Sequence, residues 1–160
     1  VEGVGDMAAV KSAEADVEAA VAQLMKPFEH RRRVLFTCRD NALYSQMAAA
    51  FARQMAWQRL DVASAGVETA KRVHPQLEGM MAEKGIDLGF VATHDVKAVL
   101  HDHNPDVVIG LSTEIPPLDF SGAEVLTWPF DSAPPDSEGE LRRLRDNIET
   151  RVAALVDDLA

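Results

Sequence analysis

From residue 33 onward the chain alternates short apolar runs with longer stretches in which apolar residues return every three or four positions. The runs at 33–37 (RVLFT), 60–66 (LDVASAG), 106–111 (DVVIGL) and 123–128 (AEVLTW) read as strands. The third is apolar almost throughout, as strands buried on both faces are. Between the first two, 46–57 carries the stripe Met47, Phe51 and Met55 and reads as a helix. His74-Pro75 opens another, with proline suited to the first turn and Gly85 where a C-cap glycine belongs. A short helix around 95–102 leads into the third strand. Ser137-Glu138-Gly139-Glu140 has the form of a capping box. After it Leu141, Leu144, Ile148, Val152, Leu155 and Leu159 line one face of a closing helix. This alternation predicts an α/β fold with a parallel sheet between two helical layers. Ligands of such sheets lie at the carboxyl ends of the strands. Cys38, Gly66, Ser112 and Trp128 all fall there and are expected to share one rim.

Residues 1–30 follow a different pattern. They are rich in Ala and Glu, and Val10, Val17, Val21, Leu24 and Phe28 recur at helical spacing. We expect an N-terminal amphipathic helix over 1–30, ended by Pro27 and the basic HRRR, ahead of a domain over 31–160. Such a helix would pack on the domain, pair two copies as a homodimer, or belong to an upstream domain. The chain opens on Val1 rather than Met, which points to a processed or partial chain.

Composition narrows the function classes. The length of 160 residues suits one domain with a proper core, and no apolar run approaches the roughly 20 residues of a membrane helix. Sixteen basic against 26 acidic residues give a net charge of −10, which repels polyanions and argues against nucleic-acid partners. The first residues show no basic segment followed by an apolar core, so a secretory signal is not expected. One cysteine suits a reducing compartment, so a cytoplasmic protein without disulfides is expected. His94, His101 and His103 lie close together beside Asp95 and Asp102. His-x-His at a helix end does not put both rings on one face, so neither a metal site nor any cofactor is expected.

The chemistry concentrates in CRDNALYSQM, residues 38–47. A cysteine between a strand and a helix N-terminus has its pKa lowered by the helix dipole, and the unpaired N–H groups beside it form a cradle for a tetrahedral oxyanion. Ser45 is placed to donate a hydroxyl to the sulfur. Asn41 can hold the left-handed backbone of a tight curl. The spacing alone leaves a second reading open, in which Cys38 is a small buried hydrophobe.

The whole chain narrows this. VLFTCRDNALYSQMAAAFA resembles the VLFVCxxNxxRSQMAEAxA signature of the low-molecular-weight protein tyrosine phosphatases and the arsenate reductases built on the same fold. The resemblance continues through SAG at 64–66, HP at 74–75, the MAEKGID segment at 81–87, DVVIGL, WPFD at 128–131 and ELRRLRDNIETRV at 140–152. It implies a three-layer α/β/α domain with a four-stranded parallel sheet, here with an extra N-terminal helix. It also implies Cys38 as nucleophile, Ser45 as the hydroxyl steadying it, and Asp131 as general acid. The anion-binding loop would comprise Arg39, Asp40, Asn41, Ala42, Leu43 and Tyr44.

Two departures alter the expected function. Tyr44 stands in the place of the family's arginine, so a bidentate cationic clamp becomes a single neutral hydroxyl. Asp40 adds a carboxylate that repels a dianion. Arg39 is expected at the rim, unable to take over the clamp. Ser112 stands where thioredoxin-linked arsenate reductases carry a relay cysteine, so no internal disulfide relay exists. These departures lead us to expect a catalytically impaired domain serving as a binding or regulatory module for a phosphate-like oxyanion or a phosphoprotein. The alternative is an active cysteine-dependent tyrosine phosphatase, or a single-cysteine arsenate reductase that uses an external thiol.

Overall fold

The computed structural model describes residues 2–25, 31–112, 119–120, 122–131 and 133–159. The elements are α1 (Glu2–Met25), β1 (Arg32–Cys38), α2 (Tyr44–Ala56), β2 (Leu60–Gly66), α3 (Leu77–Ala82), α4 (Val96–Asp102), β3 (Val107–Gly110), β4 (Glu124–Thr127) and α5 (Glu138–Leu159). The chain divides into two compact units, 1–31 and 32–160. The first holds α1, whose Val10, Val17, Val21 and Leu24 are exposed. Phe28 and the stop signal at Pro27 lie outside the described residues, as does Ser132.

In the second unit the four strands form one parallel sheet in the order β2-β1-β3-β4. This is the four-stranded sheet with helices on both faces that the sequence leads one to expect. Val34 to Cys38 are buried because β1 has a neighbour on each side and a helical layer on each face. One face is covered by α2 and α5, where Phe36, Met47, Phe51, Leu77, Ile109, Leu141, Ile148 and Val152 share a core. On the other face Leu35, Ala65, Val96 and Val108 form a smaller one. β3 is buried at all four positions, whereas β4, an edge strand, leaves Glu124, Val125 and Thr127 exposed. The apolar run at 123–128 is therefore ladder only where β3 offers a partner.

Two element boundaries move for physical reasons. α2 begins at Tyr44, two positions before the expected start. Its helix lies between the sheet and α5, so Ala48, Ala49, Ala50 and Ala52 are buried while Met55, expected in the buried stripe, is 36% exposed. Alanine lets α2 approach both layers closely. α3 begins at Leu77, because His74–Leu77 closes a turn first, with the Leu77 N–H on the His74 carbonyl at 3.0 Å. Gly85 does take a left-handed φ of 74° just past α3, and the Ile86 N–H caps the Met81 carbonyl at 3.0 Å. At the start of α5 the Glu140 N–H donates to Ser137 Oγ at 3.2 Å, the cap expected there.

The rim also forms. Cys38 pairs with Gly66 at the ends of β1 and β2, the Leu111 N–H reaches the Thr37 carbonyl, and the Trp128 N–H reaches the Gly110 carbonyl. Gly66 must be glycine: a Cβ there would lie 2.7 Å from backbone atoms of Asp40 and Asn41. The loop after Cys38 folds directly onto the end of β2.

Candidate functional site: the cysteine loop

Residues 39–43 join β1 to α2 in a curl held by Asn41. Its φ is 56°, the left-handed backbone that asparagine tolerates. The Asn41 side chain is fully buried and fixed at both ends. Its Oδ1 accepts from the His94 N–H at 2.8 Å and from Gln46 Nε2 at 3.2 Å, so its Nδ2 must be the donor to Ser45 Oγ at 2.7 Å. Ser45 Oγ in turn lies 2.9 Å from Cys38 Sγ. With Asn41 donating to it, the serine hydroxyl proton is free to point at the sulfur. A relay from Asn41 through Ser45 thus presents a donor to Cys38, as needed to steady a thiolate.

Burial works against that relay. Cys38 is 1% exposed, and desolvation pushes its thiol above the ordinary value. The Ser45 hydroxyl and the backbone N–H groups of Ser45 and Asn41 pull it down, and the Asp40 charge adds a little to the rise. The net direction is up, which corrects the expected lowering by the helix N-terminus. The dipole acts on a sulfur that is too well enclosed for it to prevail. The resting group is the thiol, and an incoming partner must help to draw the proton off.

Asp40 turns back over the cradle. Its side chain is exposed at the outer edge, yet Oδ1 accepts the Ala42 N–H at 3.0 Å and lies 3.9 Å from Cys38 Sγ. One cradle N–H is therefore already satisfied by a carboxylate. Arg39 pairs with Glu68, with Nε and the Glu68 Oε2 3.2 Å apart, and it also borders the cavity over the sulfur, which agrees with a position on the rim. Ala42 and Leu43 are buried lining residues. The cavity over the sulfur measures about 20 Å³ and is bordered by Cys38, Asp40, Tyr44, His74, Ser112 and Pro134. That is room for one water-sized group.

Tyr44 does not enter this cavity with its hydroxyl. The O–H donates to the Ala133 carbonyl at 3.2 Å, and the ring packs on Phe130 with centroids 5.9 Å apart. Burial, then the charges of Asp131, Cys38 and Asp40, push the phenol up to about 12. It stays neutral and serves as a clasp between the start of α2 and the loop after β4. Asp131 is exposed and lines a neighbouring cavity of about 450 Å³ with Tyr44, Pro129, Phe130, Ala133, Pro135, Glu140 and Leu144. The structure brings Cys38, Asn41 and Ser45 together; Asp131 lines the neighbouring cavity and not the one over the sulfur.

Gln46 was missed as a site residue. Its Nε2 binds the Asn41 carbonyl, Asn41 Oδ1 and the Ala92 carbonyl, at 3.2, 3.2 and 2.9 Å, and so ties the curl to the segment before α4. Its place directly after Ser45, in the SQM of the motif, was the available signal. The histidines serve separate ends. His94 supports Asn41 through its main chain, while His103 Nε2 meets the Asp61 carbonyl at 3.3 Å. Among the described residues no three His, Cys, Asp or Glu side chains are grouped to hold a metal. No described helix is long and apolar enough to cross a membrane.

Comparison with known proteins bears on this geometry. The family model for low molecular weight phosphotyrosine protein phosphatases matches residues 33–117. A glutaredoxin arsenate reductase of Synechocystis sp. is 30% identical over 128 residues, covering 78% of this chain and 96% of the relative. Among solved structures, an arsenate reductase in the phosphate binding state superposes with a TM-score of 0.72 at 29% identity, covering 81% of this chain and 99% of the other. The arsenate reductase of Archaeoglobus fulgidus gives 0.66 at 32% identity, covering 78% and 98%. Nothing in these relatives supports the expectation of a catalytically impaired binding module. They fit its alternative, an arsenate reductase.

Proposed function

The chain belongs to the low molecular weight phosphotyrosine protein phosphatase family, and from that premise we propose that it reduces arsenate, with Cys38 attacking arsenic and an external thiol supplying the electrons. The observation that carries this reading is the Asn41–Ser45–Cys38 relay, with Ser45 Oγ 2.9 Å from the sulfur. Such a relay has a use only where the sulfur must leave or attack as an anion. That the named relatives are arsenate reductases supports the choice of substrate.

The electron balance follows from the cysteine count. The Cys38 thiol condenses with dihydrogen arsenate; a sulfur–arsenic bond forms, and one arsenate oxygen leaves as water with the thiol proton. An external thiol then attacks the Cys38 sulfur. A sulfur–sulfur bond forms, the sulfur–arsenic bond breaks, and its electron pair departs with arsenic as arsenite, which also takes the proton of the attacking thiol. Arsenic falls from the +5 to the +3 state as the two sulfurs become a mixed disulfide. The chain has no second cysteine to resolve this bond. A second external thiol must do so, releasing the small disulfide and restoring the Cys38 thiol. Asp131 keeps the proposed role of proton donor to the departing oxygen, and regains that proton from the Cys38 thiol, so that the balance is unchanged. Reaching that oxygen requires the loop held by Tyr44 to shift.

Without a guanidinium the developing charge loses a stabiliser of about 2.7–4 kcal/mol, so turnover should be slow compared with a site that keeps one. The test couples arsenate and glutathione to glutathione reductase and NADPH, with and without glutaredoxin. Arsenate-dependent NADPH oxidation that vanishes in Cys38→Ser is expected, with a Cys38–glutathione adduct by mass spectrometry. Oxidation no faster than in Cys38→Ser, together with hydrolysis of an aryl phosphate by the wild type, would move the assignment to phosphatase.

A further inference from the structure

We propose that Asp40 makes this cradle selective for an oxyanion that still carries a proton, such as hydrogen arsenate or hydrogen phosphate, over one that carries none, such as sulfate. The inference builds on the reading of 38–45 as an oxyanion site, and names the ligand form that site accepts.

The argument starts from position. An oxyanion seated on the loop places its oxygens against the loop N–H groups, beside the sulfur. Asp40 Oδ1 already holds one of those positions, 3.0 Å from the Ala42 N–H and 3.9 Å from Sγ. The cavity of about 20 Å³ beside it holds one water-sized group, so an anion seated on the loop must open it further and still comes against the Ala42 N–H that Oδ1 occupies. A ligand oxygen approaching that N–H meets a carboxylate oxygen at hydrogen-bond distance. Two unprotonated oxygens there repel; an O–H on the ligand turns the contact into a charge-assisted hydrogen bond.

The surroundings offset the repulsion only in part. Tyr44 is neutral, with its O–H spent on Ala133, and Arg39, the cation that borders the cavity, divides its charge with Glu68. Cys38 becomes an anion as it reacts, and Asp131 lines the neighbouring cavity. His74 borders the cavity with its Nδ1 accepting the Gln76 N–H at 3.2 Å, so the neutral ring carries its proton on Nε2. A cradle with a guanidinium would favour more negative charge. This one, with a neutral phenol in that place and a carboxylate added at Asp40, favours less, and the discrimination comes from a repulsive element.

Titration calorimetry on the full chain with phosphate and with sulfate, at constant ionic strength, tests this without turnover. Wild type should bind phosphate at least about tenfold more tightly than sulfate at a pH where phosphate is mainly the hydrogen phosphate dianion, so that the two ions carry the same charge and differ in the proton. Asp40→Asn, whose amide can donate to a bare oxygen, should bring sulfate to within about threefold of phosphate. Equal binding of both ions by wild type, binding of neither, or an unchanged ratio in a folded Asp40→Asn overturns the inference. If that variant does not fold, an unchanged phosphate-to-sulfate ratio in a folded Asp40→Ser overturns it instead. A chain that discriminates but never reduces arsenate sinks only the reductase reading; one that reduces arsenate without discriminating sinks only this one.

Discussion

Ser45, Tyr44 and Asp40 surround one sulfur and act on it in different directions. Ser45 favours the thiolate, so Ser45→Ala should push the Cys38 thiol further up and slow its alkylation by iodoacetamide near neutral pH by about tenfold. Asp40 disfavours the thiolate, and Asp40→Asn should speed the same reaction. An unchanged rate in both would mean that Ser45 and Asp40 do not act on the sulfur. Tyr44 is the only tyrosine, so its ionisation can be followed by phenolate absorbance without ambiguity. Its folded value lies above the ordinary one, so the stability it lends is complete below about pH 10 and is lost as pH rises towards about 12. Absorbance appearing at the ordinary tyrosine value in a chain that is still folded would contradict the buried, clasped hydroxyl. Tyr44→Arg should restore a clamp and tighten phosphate binding by at least about tenfold.

At the scale of elements, the end of α3 and the start of α5 are joined by charges that no apolar pattern reveals. Arg145 is 5% exposed, on a helix face otherwise of leucine, isoleucine and valine. It donates to the Met80 carbonyl at 3.0 Å, to Glu83 at 2.6 Å and to Asp146 at 2.9 Å. Glu83 also takes a two-pronged contact from Arg142, and hydrogen bonds from Arg142 and then Arg145 hold its carboxyl down at about 2. The Met80 carbonyl would lose its partner in Arg145→Ala, which should cost about 1–3 kcal/mol in urea unfolding with the m-value unchanged. The same change at Arg143, an exposed neighbour, should cost about 0.5 kcal/mol or less. Equal effects at the two positions would show that burial of Arg145 is immaterial. The Glu83 contribution is present above the ordinary carboxylate range and is lost as pH falls towards about 2.

Across the whole molecule, 26 acidic residues outweigh 16 basic ones, and any oxyanion approaches a chain of net charge −10. Screening should therefore help. Raising sodium chloride from about 0.02 M to about 0.2 M should lower the KM for arsenate or speed its association, because the Debye length shrinks to about the distance between a ligand and the surface charges around it. A KM that climbs steeply with salt would mean that the charges at the site dominate those of the molecule. Against this global field the N–H groups at the start of α2 offer partial positive charge, with Arg39 at the rim beside them.

What the sequence determined by itself is set by local and periodic forces. The alternation of apolar runs and helical stripes was enough for the parallel sheet between two helical layers, and the motif order was enough for the family. The capping serine at 137 and the left-handed Asn41 and Gly85 were legible because each is dictated by its own backbone. Tertiary structure decided the rest, because burial and direction depend on what the fold brings close. Met55 fell outside the buried stripe once alanines set the approach of α2 to its two neighbours. The Cys38 thiol moved up rather than down because enclosure outweighs the helix terminus. Tyr44 became a clasp on the Ala133 carbonyl, with Asp131 in the neighbouring cavity, and Asp40 turned back to take the Ala42 N–H. The sequence specified a cradle with an arginine missing; only the folded chain put a carboxylate oxygen 3.9 Å from the sulfur, where a ligand must negotiate it.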